Sequence, residues 1–80
     1  MDDVISLATA PIGVPMTLVA CLTDPMLRGR LSILGLRPGA RIRLIHATPG
    51  GGRVLAVAGS RIALDRSVLK GLVARRLGAA

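Results

Sequence analysis

A chain of 80 residues buries only about 60% of the surface its unfolded form exposes, which supports one modest core and leaves no room for a doubly wound nucleotide-binding sheet, a large substrate cleft or a second domain. Hydrophobic residues make up 51% of it, yet there is no Phe, Tyr or Trp. The core is therefore aliphatic, and grooves that hold polyproline or single-stranded nucleic acid on aromatic rings are disfavoured. Eleven Lys and Arg against four acidic residues leave a net charge of +7, which favours an acidic partner: nucleic acid, an anionic membrane surface or an acidic protein face.

Residues 4–22 carry no charge and reach the length at which a membrane-spanning helix must be considered. Pro11, Gly13 and Pro15 interrupt the run where a helix would lose backbone bonds, and the preceding Asp2-Asp3 has the wrong sign for a signal peptide. The run reads instead as a short lead-in, Val4 to Ala8, a turn from Pro11 to Pro15, and a strand from Met16 to Leu22. Cys21 is the single cysteine, so no internal disulfide forms; it is expected to be a small buried hydrophobe in a reducing, cytoplasmic setting.

Thr23-Asp24-Pro25 is a helix start, with Asp accepting from free N–H groups and Pro tolerated at the first helical position. Gly35 is the stop. Between them Leu27, Leu31 and Leu34 follow helical spacing, and Met26 and Ile33 widen the apolar arc. Arg28, Gly29 and Ser32 fall opposite. Arg30 lies inside the arc and is expected to snorkel or to find an acceptor such as Asp24 or Asp65.

Pro38-Gly39 predicts a type II turn. Arg41-Ile42-Arg43-Leu44 alternates at period two, a half-buried strand with its arginines outward, and the slip at Ile45-His46 predicts a bulge. Pro49 to Gly52 is a loop. Its glycines lack the Lys-Ser/Thr of a phosphate-binding loop. Arg53 to Ala58 and Arg61 to Leu64 are strands joined by a Gly59-Ser60 hairpin turn. Asp65 caps a single helical turn, Arg66 to Leu69; a last strand runs from about Leu72 to Arg76, and Gly78-Ala79-Ala80 is a frayed end. Five strands, one helix after the first of them and a helical turn before the last give the order of a small SH3-like barrel, mainly β and a single domain.

No catalytic arrangement is available, because the one His, one Cys and four Asp are isolated from one another in sequence. His46 is expected at a strand end on the surface, and no metal or cofactor site is assigned. Arg41, Arg43, Arg53, Arg61 and Arg66 are either a phosphate-binding face or a solvated surface.

The run RLSILGLRPG, Arg30 to Gly39, is followed by a strand, a PGGG loop and then GSRIALDR, Gly59 to Arg66. This combination resembles the FeoA family of ferrous-iron transport accessory proteins. There, an R-L-x-x-L-G-hydrophobic-x-P-G run precedes the second strand, and a G-x-x-hydrophobic-A-L-polar-R segment ends the hairpin. The likeness runs from about Leu7 to Val73 and includes the Ile12-Gly13 lead-in. Arg30, Leu31, Leu34, Gly35, Pro38, Gly39, Gly59 and Leu64 are its structural motif positions. The resemblance implies an SH3-like barrel that works in the cytoplasm with FeoB, the membrane ferrous-iron transporter with a GTPase domain, by docking and regulation and not by catalysis. A related barrel closes repressors of the diphtheria-toxin-repressor type, but this chain has no room for their winged-helix domain. It also departs from commoner members in lacking Glu. The expected partner surface is the exposed face of helix 25–34 with Arg28 and Arg37, joined by Arg41 and Arg43. Two alternatives stand beside it: a basic barrel that binds nucleic acid, and a weak transition-metal sensor using His46 or Cys21.

Overall fold

The computed structural model describes residues 4–77. Asp2-Asp3 and the expected frayed end at Gly78-Ala79-Ala80 lie outside them. Six strands and two helices follow in the order β1 (Val4–Ser6), β2 (Pro15–Cys21), α1 (Pro25–Ile33), β3 (Arg41–Ala47), β4 (Arg53–Val57), β5 (Ser60–Leu64), α2 (Arg66–Lys70) and β6 (Leu72–Arg76), with a 3₁₀ turn at Pro49–Gly51. The strands form one antiparallel sheet in the order β1-β6-β2-β3-β4-β5. Its fold class is the one expected, mainly β with a helix between two neighbouring strands. Two details differ. The lead-in contains a sixth strand, β1, which pairs Val4 with Arg75 and Ser6 with Val73. The sheet also does not close, since β1 and β5 remain its two ends.

The local signals explain most of these elements. Asp24 accepts from the Leu27 N–H at 3.0 Å and Pro25 takes the first helical position. At the other end, the Gly35 N–H donates to the Ser32 carbonyl at 2.9 Å and the Leu36 N–H to the Leu31 carbonyl at 2.8 Å. That pair of bonds is a Schellman turn, which requires the left-handed backbone that Gly35 adopts at φ +96°. Pro38-Gly39 makes the type II turn, with the Ala40 N–H bonded to the Arg37 carbonyl at 3.0 Å and Gly39 at φ +95°. The register of β3 against β4 slips between Leu44 and His46, where the alternation of the sequence fails.

The hairpin turn is one residue earlier than expected. Val57 pairs with Ser60, so the turn residues are Ala58 and Gly59, at φ +51° and +78°. Both are left-handed, as in the type I′ turn whose twist matches the flanking strands.

Leu7, Met16, Leu18, Leu36, Leu44, Leu55, Leu69 and Leu72 are fully buried and form the aliphatic core with Leu31, Ile42, Val57 and Cys21. The helix contributes less than its pattern implies. Leu31 is buried and Leu27 half-buried, but Leu34 is 48%, Met26 72% and Ile33 87% exposed. The Schellman turn accounts for this: it folds the chain back so that Leu36 packs in the core beside Leu31, leaving the last turn of the helix outside. Arg30 is exposed and its side chain takes no acceptor among the described residues, because the apolar arc around it is itself in solvent.

Among the described residues no helix is long and apolar enough to cross a membrane. The uncharged N-terminal run becomes β1, a loop and β2.

Candidate functional site

Beside Arg61 and Arg66, exposed on β5 and α2, the sequence-predicted arginines fall into three environments. Arg28 and Arg30 are exposed on α1. Met26, Arg30 and Ile33 share one side of the helix at i, i+4 and i+7, so the Arg30 stem lies along an apolar ridge that Leu34 extends. A shallow depression beside it is lined by Asp24, Met26, Leu27 and Arg30. Leu22, 70% exposed, adds a further apolar side chain just before the helix.

Arg37, Arg41 and Arg43 form the second group, all exposed. Arg37 leaves the Schellman turn, and β3 sends Arg41 and Arg43 outward while Ile42 and Leu44 enter the core. Arg37 and Arg41 line a depression of about 460 Å³ against Val57 and Ala58. Arg41 and Arg43 line a second of about 260 Å³, closed by Pro15 and Leu77. Gly35, Pro38, Gly39 and Gly59 shape these two depressions, whereas Leu31 is in the core and Leu64 is half-buried on β5. Arg28 belongs to neither depression.

Arg53 is alone in the third. Neither of its expected places, a phosphate-binding face or a solvated surface, is the one it takes: it is half-buried, and its Nη1 donates to the Leu7 carbonyl at 3.1 Å and to the Ala10 carbonyl. The guanidinium therefore holds the β1–β2 loop against the start of β4. Position 53 has the parity of the buried Leu55 and Val57, so its stem lies on the inner side of β4, whereas Arg41 and Arg43 alternate with the buried Ile42 and Leu44 and point outward.

The carboxylates among the described residues are both committed to helix starts. Asp24 caps α1. Asp65 accepts from the Val68 N–H at 3.0 Å and the Ser67 hydroxyl at 2.8 Å, and these bonds hold its carboxyl below the usual Asp range. Cys21 is buried, and desolvation pushes its thiol up, opposed by the nearby Arg28 charge. His46 is exposed at the end of β3, its Nδ1 at 3.2 Å from the Ala47 carbonyl. Among the described residues no three His, Cys, Asp or Glu side chains converge as metal ligands would.

The arrangement offers surfaces for contact: an apolar ridge with arginines and a cationic face on the sheet. Sequence reasoning missed two parts of it. Leu77 and Ala58 line the depressions without any signal of their own, since the first follows a strand and the second is a turn residue.

Comparison with known proteins places these features. The FeoA domain model matches residues 5–76. A crystal structure of an iron uptake regulatory protein, FeoA, superposes with a TM-score of 0.83 at 28% identity, covering 94% of this chain and all of that one. The zinc complex of Stenotrophomonas maltophilia FeoA, described as a prokaryotic SH3 domain protein, gives 0.69 at 27% identity over 88% of each chain. The solution structure of Chlorobium tepidum FeoA shares the fold at a TM-score of 0.87 and 22% identity, covering 95% of this chain and 73% of that one. Among curated protein sequences none is significantly similar to this chain. With its SH3-like fold and a family match over nearly its whole length, the chain belongs to the FeoA family, which is associated with ferrous iron transport.

Proposed function

We propose that this chain is a non-enzymatic accessory protein of ferrous iron uptake. It acts in the cytoplasm as a single FeoA-like domain, docking onto the GTPase-bearing part of a FeoB-type transporter and regulating it. The observation that carries this reading is the outer side of α1. Three large apolar side chains, Met26, Ile33 and the C-cap Leu34, stand 72%, 87% and 48% exposed along one short helix, with Arg30 among them and Arg28 on the helix's other side. Exposed apolar surface rimmed by charge marks a protein contact. Arg28, Arg37, Arg41 and Arg43 supply the cationic part of that contact.

The experiment is a calorimetric titration of the full chain with the cytoplasmic GTPase domain of the transporter encoded with it. Ile33→Asp and the pair Arg28→Glu with Arg37→Glu are expected to weaken binding by about tenfold or more, with the far-ultraviolet circular dichroism unchanged because these side chains are exposed. Wild-type affinity in all these variants, or no binding by the wild type, removes the reading.

A further inference from the structure

On the sheet, the outward arginines are organised by register. Arg43 stands opposite Ala56 on β4, and Ala56 opposite Arg61 on β5. On the other flank Arg41 stands opposite Thr17 and Arg43 opposite Pro15. Directly opposed residues of an antiparallel ladder point to the same side. Arg41, Arg43 and Arg61 therefore share one face, with only short side chains between them. The two depressions described above share Arg41, Val57 and Ala58, and so form one continuous groove from Arg37 to Leu77. Arginines rim it, and Pro15, Ala58 and Leu77 supply exposed apolar side chains among the backbone polar groups of its lining. Within the described residues, the guanidinium groups of Arg37, Arg41, Arg43 and Arg61 have no hydrogen-bonded or ionic partner, and both described carboxylates are held as helix caps.

We infer that this groove binds an extended acidic segment of the partner protein, in which carboxylates alternate with apolar side chains. The inference rests on the docking reading above and gives the contact its chemistry. Arg41 and Arg43 are two residues apart on a strand, roughly 6.6 Å. Alternate side chains of an extended peptide repeat at the same interval, so successive carboxylates meet successive guanidinium groups, which pair with them through two parallel hydrogen bonds. The exposed apolar side chains of Pro15, Ala58 and Leu77 then take contacts that a sugar–phosphate backbone does not offer, and no aromatic ring is present on which bases would stack. A second copy of this chain is the wrong occupant, because it brings the same cationic face.

The test follows the amide resonances of the isotopically labelled full chain with three probes: a nine-residue peptide of alternating Glu and Val, a 12-base-pair DNA duplex, and the transporter's GTPase domain. The peptide is expected to shift residues 41–43 and 57–59 saturably, with affinity falling at least about fivefold between 20 and 200 mM salt. Arg41→Glu with Arg43→Glu should weaken it by about tenfold or more, and the neutral pair Arg41→Gln with Arg43→Gln by less. The charge-matched pair Arg66→Glu with Lys70→Glu, on α2, should weaken it by less than about threefold. Shifts of the same amides by the GTPase domain, displaced by the peptide, support the inference. Equal losses in both charge-reversal pairs, peptide shifts scattered away from the groove, or duplex DNA shifting these amides where the peptide does not, each overturn it. A GTPase domain that binds but leaves the groove untouched also overturns it while the docking reading stands. A groove that takes the peptide while the GTPase domain fails to bind upholds the acidic-segment chemistry and removes the docking reading alone.

Discussion

Arg53→Met isolates the guanidinium that ties the β1–β2 loop to β4. The substitution keeps an apolar stem of similar length and removes the donors to the Leu7 and Ala10 carbonyls. Leu7 is fully buried and Ala10 2% exposed, so these carbonyls have little water to turn to. Hydrogen bonds from a charged donor contribute about 1.5–3 kcal/mol each. Arg53 itself is only half-buried, so water can enter the space the guanidinium leaves and recover part of that. A net loss of about 2 kcal/mol is expected, against a total stability on the order of 4–12 kcal/mol for 80 residues. For a domain of this size that corresponds to a fall in Tm of roughly 8–16 °C. With no aromatic residues the unfolding has no intrinsic fluorescence to follow, so urea and thermal transitions are read by far-ultraviolet circular dichroism. Arg61→Met is the control: it removes the same charge from an exposed position on the neighbouring strand and should change stability by less than about 0.5 kcal/mol. Amide exchange at Gly13, which donates to the Leu44 carbonyl at 2.7 Å, should accelerate in Arg53→Met and not in the control. A loss no larger than that of Arg61→Met, with exchange at Gly13 unchanged, refutes the claim that Arg53 holds the loop.

Two glycines give opposite expectations. A Cβ at Gly71 would overlap the Leu22 carbonyl oxygen far inside van der Waals contact, and the two backbones are joined by the Leu22 N–H to Gly71 carbonyl bond at 2.6 Å. Gly71→Ala should therefore cost about 3 kcal/mol or more in urea unfolding. Gly29, on the exposed side of α1 with open space around it, should gain about 0.5–1 kcal/mol on replacement by Ala. The depressed pKa of Asp65 makes its cap a pH-dependent contribution: it is present above the ordinary carboxylate value near 3.8 and lost as pH falls through the lower folded value. Asp65→Asn keeps an acceptor that does not titrate, so its stability difference from the wild type should stay constant above about pH 5 and shrink below it; a difference that is flat down to acid denaturation counts against the assignment. Cys21, buried and with its thiol pushed up, should react with iodoacetamide at pH 8 far more slowly in the folded protein than in urea. Equal rates contradict its place in the core.

In the proposed docking the two surfaces would divide labour, and their positions explain how. The α1 ridge is apolar because the Schellman turn ends the helix's contribution to the core at Leu31 and passes the burial to Leu36. The sheet groove is cationic because period-two alternation on β3 must put Arg41 and Arg43 outside when Ile42 and Leu44 go inside. A partner that covers the ridge gains apolar contact. One that also reaches the groove gains charge complementarity, and with it a faster encounter and tighter register.

Much of the molecule was legible because its signals are local. Asp24-Pro25 and Asp65 start helices through bonds to their own first turns, Gly35 ends α1 through a backbone conformation other residues resist, and Pro38-Gly39 specifies its turn within four residues. The failed alternation at Ile45-His46 marked its bulge for the same reason. What escaped depends on distant partners. β1 has three residues and no readable pattern; it is a strand because β6, some 70 positions later, lies beside it. The hairpin slid by one residue because Leu55 pairs with Ile62 and the turn at Ala58 abuts Gly35, whose added Cβ would come within 2.8 Å of the Ala58 Cβ. Helical spacing put Leu27, Leu31 and Leu34 on one stripe, but whether a stripe is covered depends on where the sheet ends, and this sheet covers only part of it. Arg53 reads like Arg41 and Arg43 in sequence; only the return of the β1–β2 loop over β4 supplies the carbonyl groups that make it structural. The sequence by itself determined most of the elements, the helix caps and the Pro38-Gly39 turn through bonds and alternation within a few residues, and through composition the aliphatic core and the excess of positive charge. Tertiary structure alone decided which arginines are free to meet a partner and which apolar side chains stay exposed, because both depend on contacts between segments tens of residues apart.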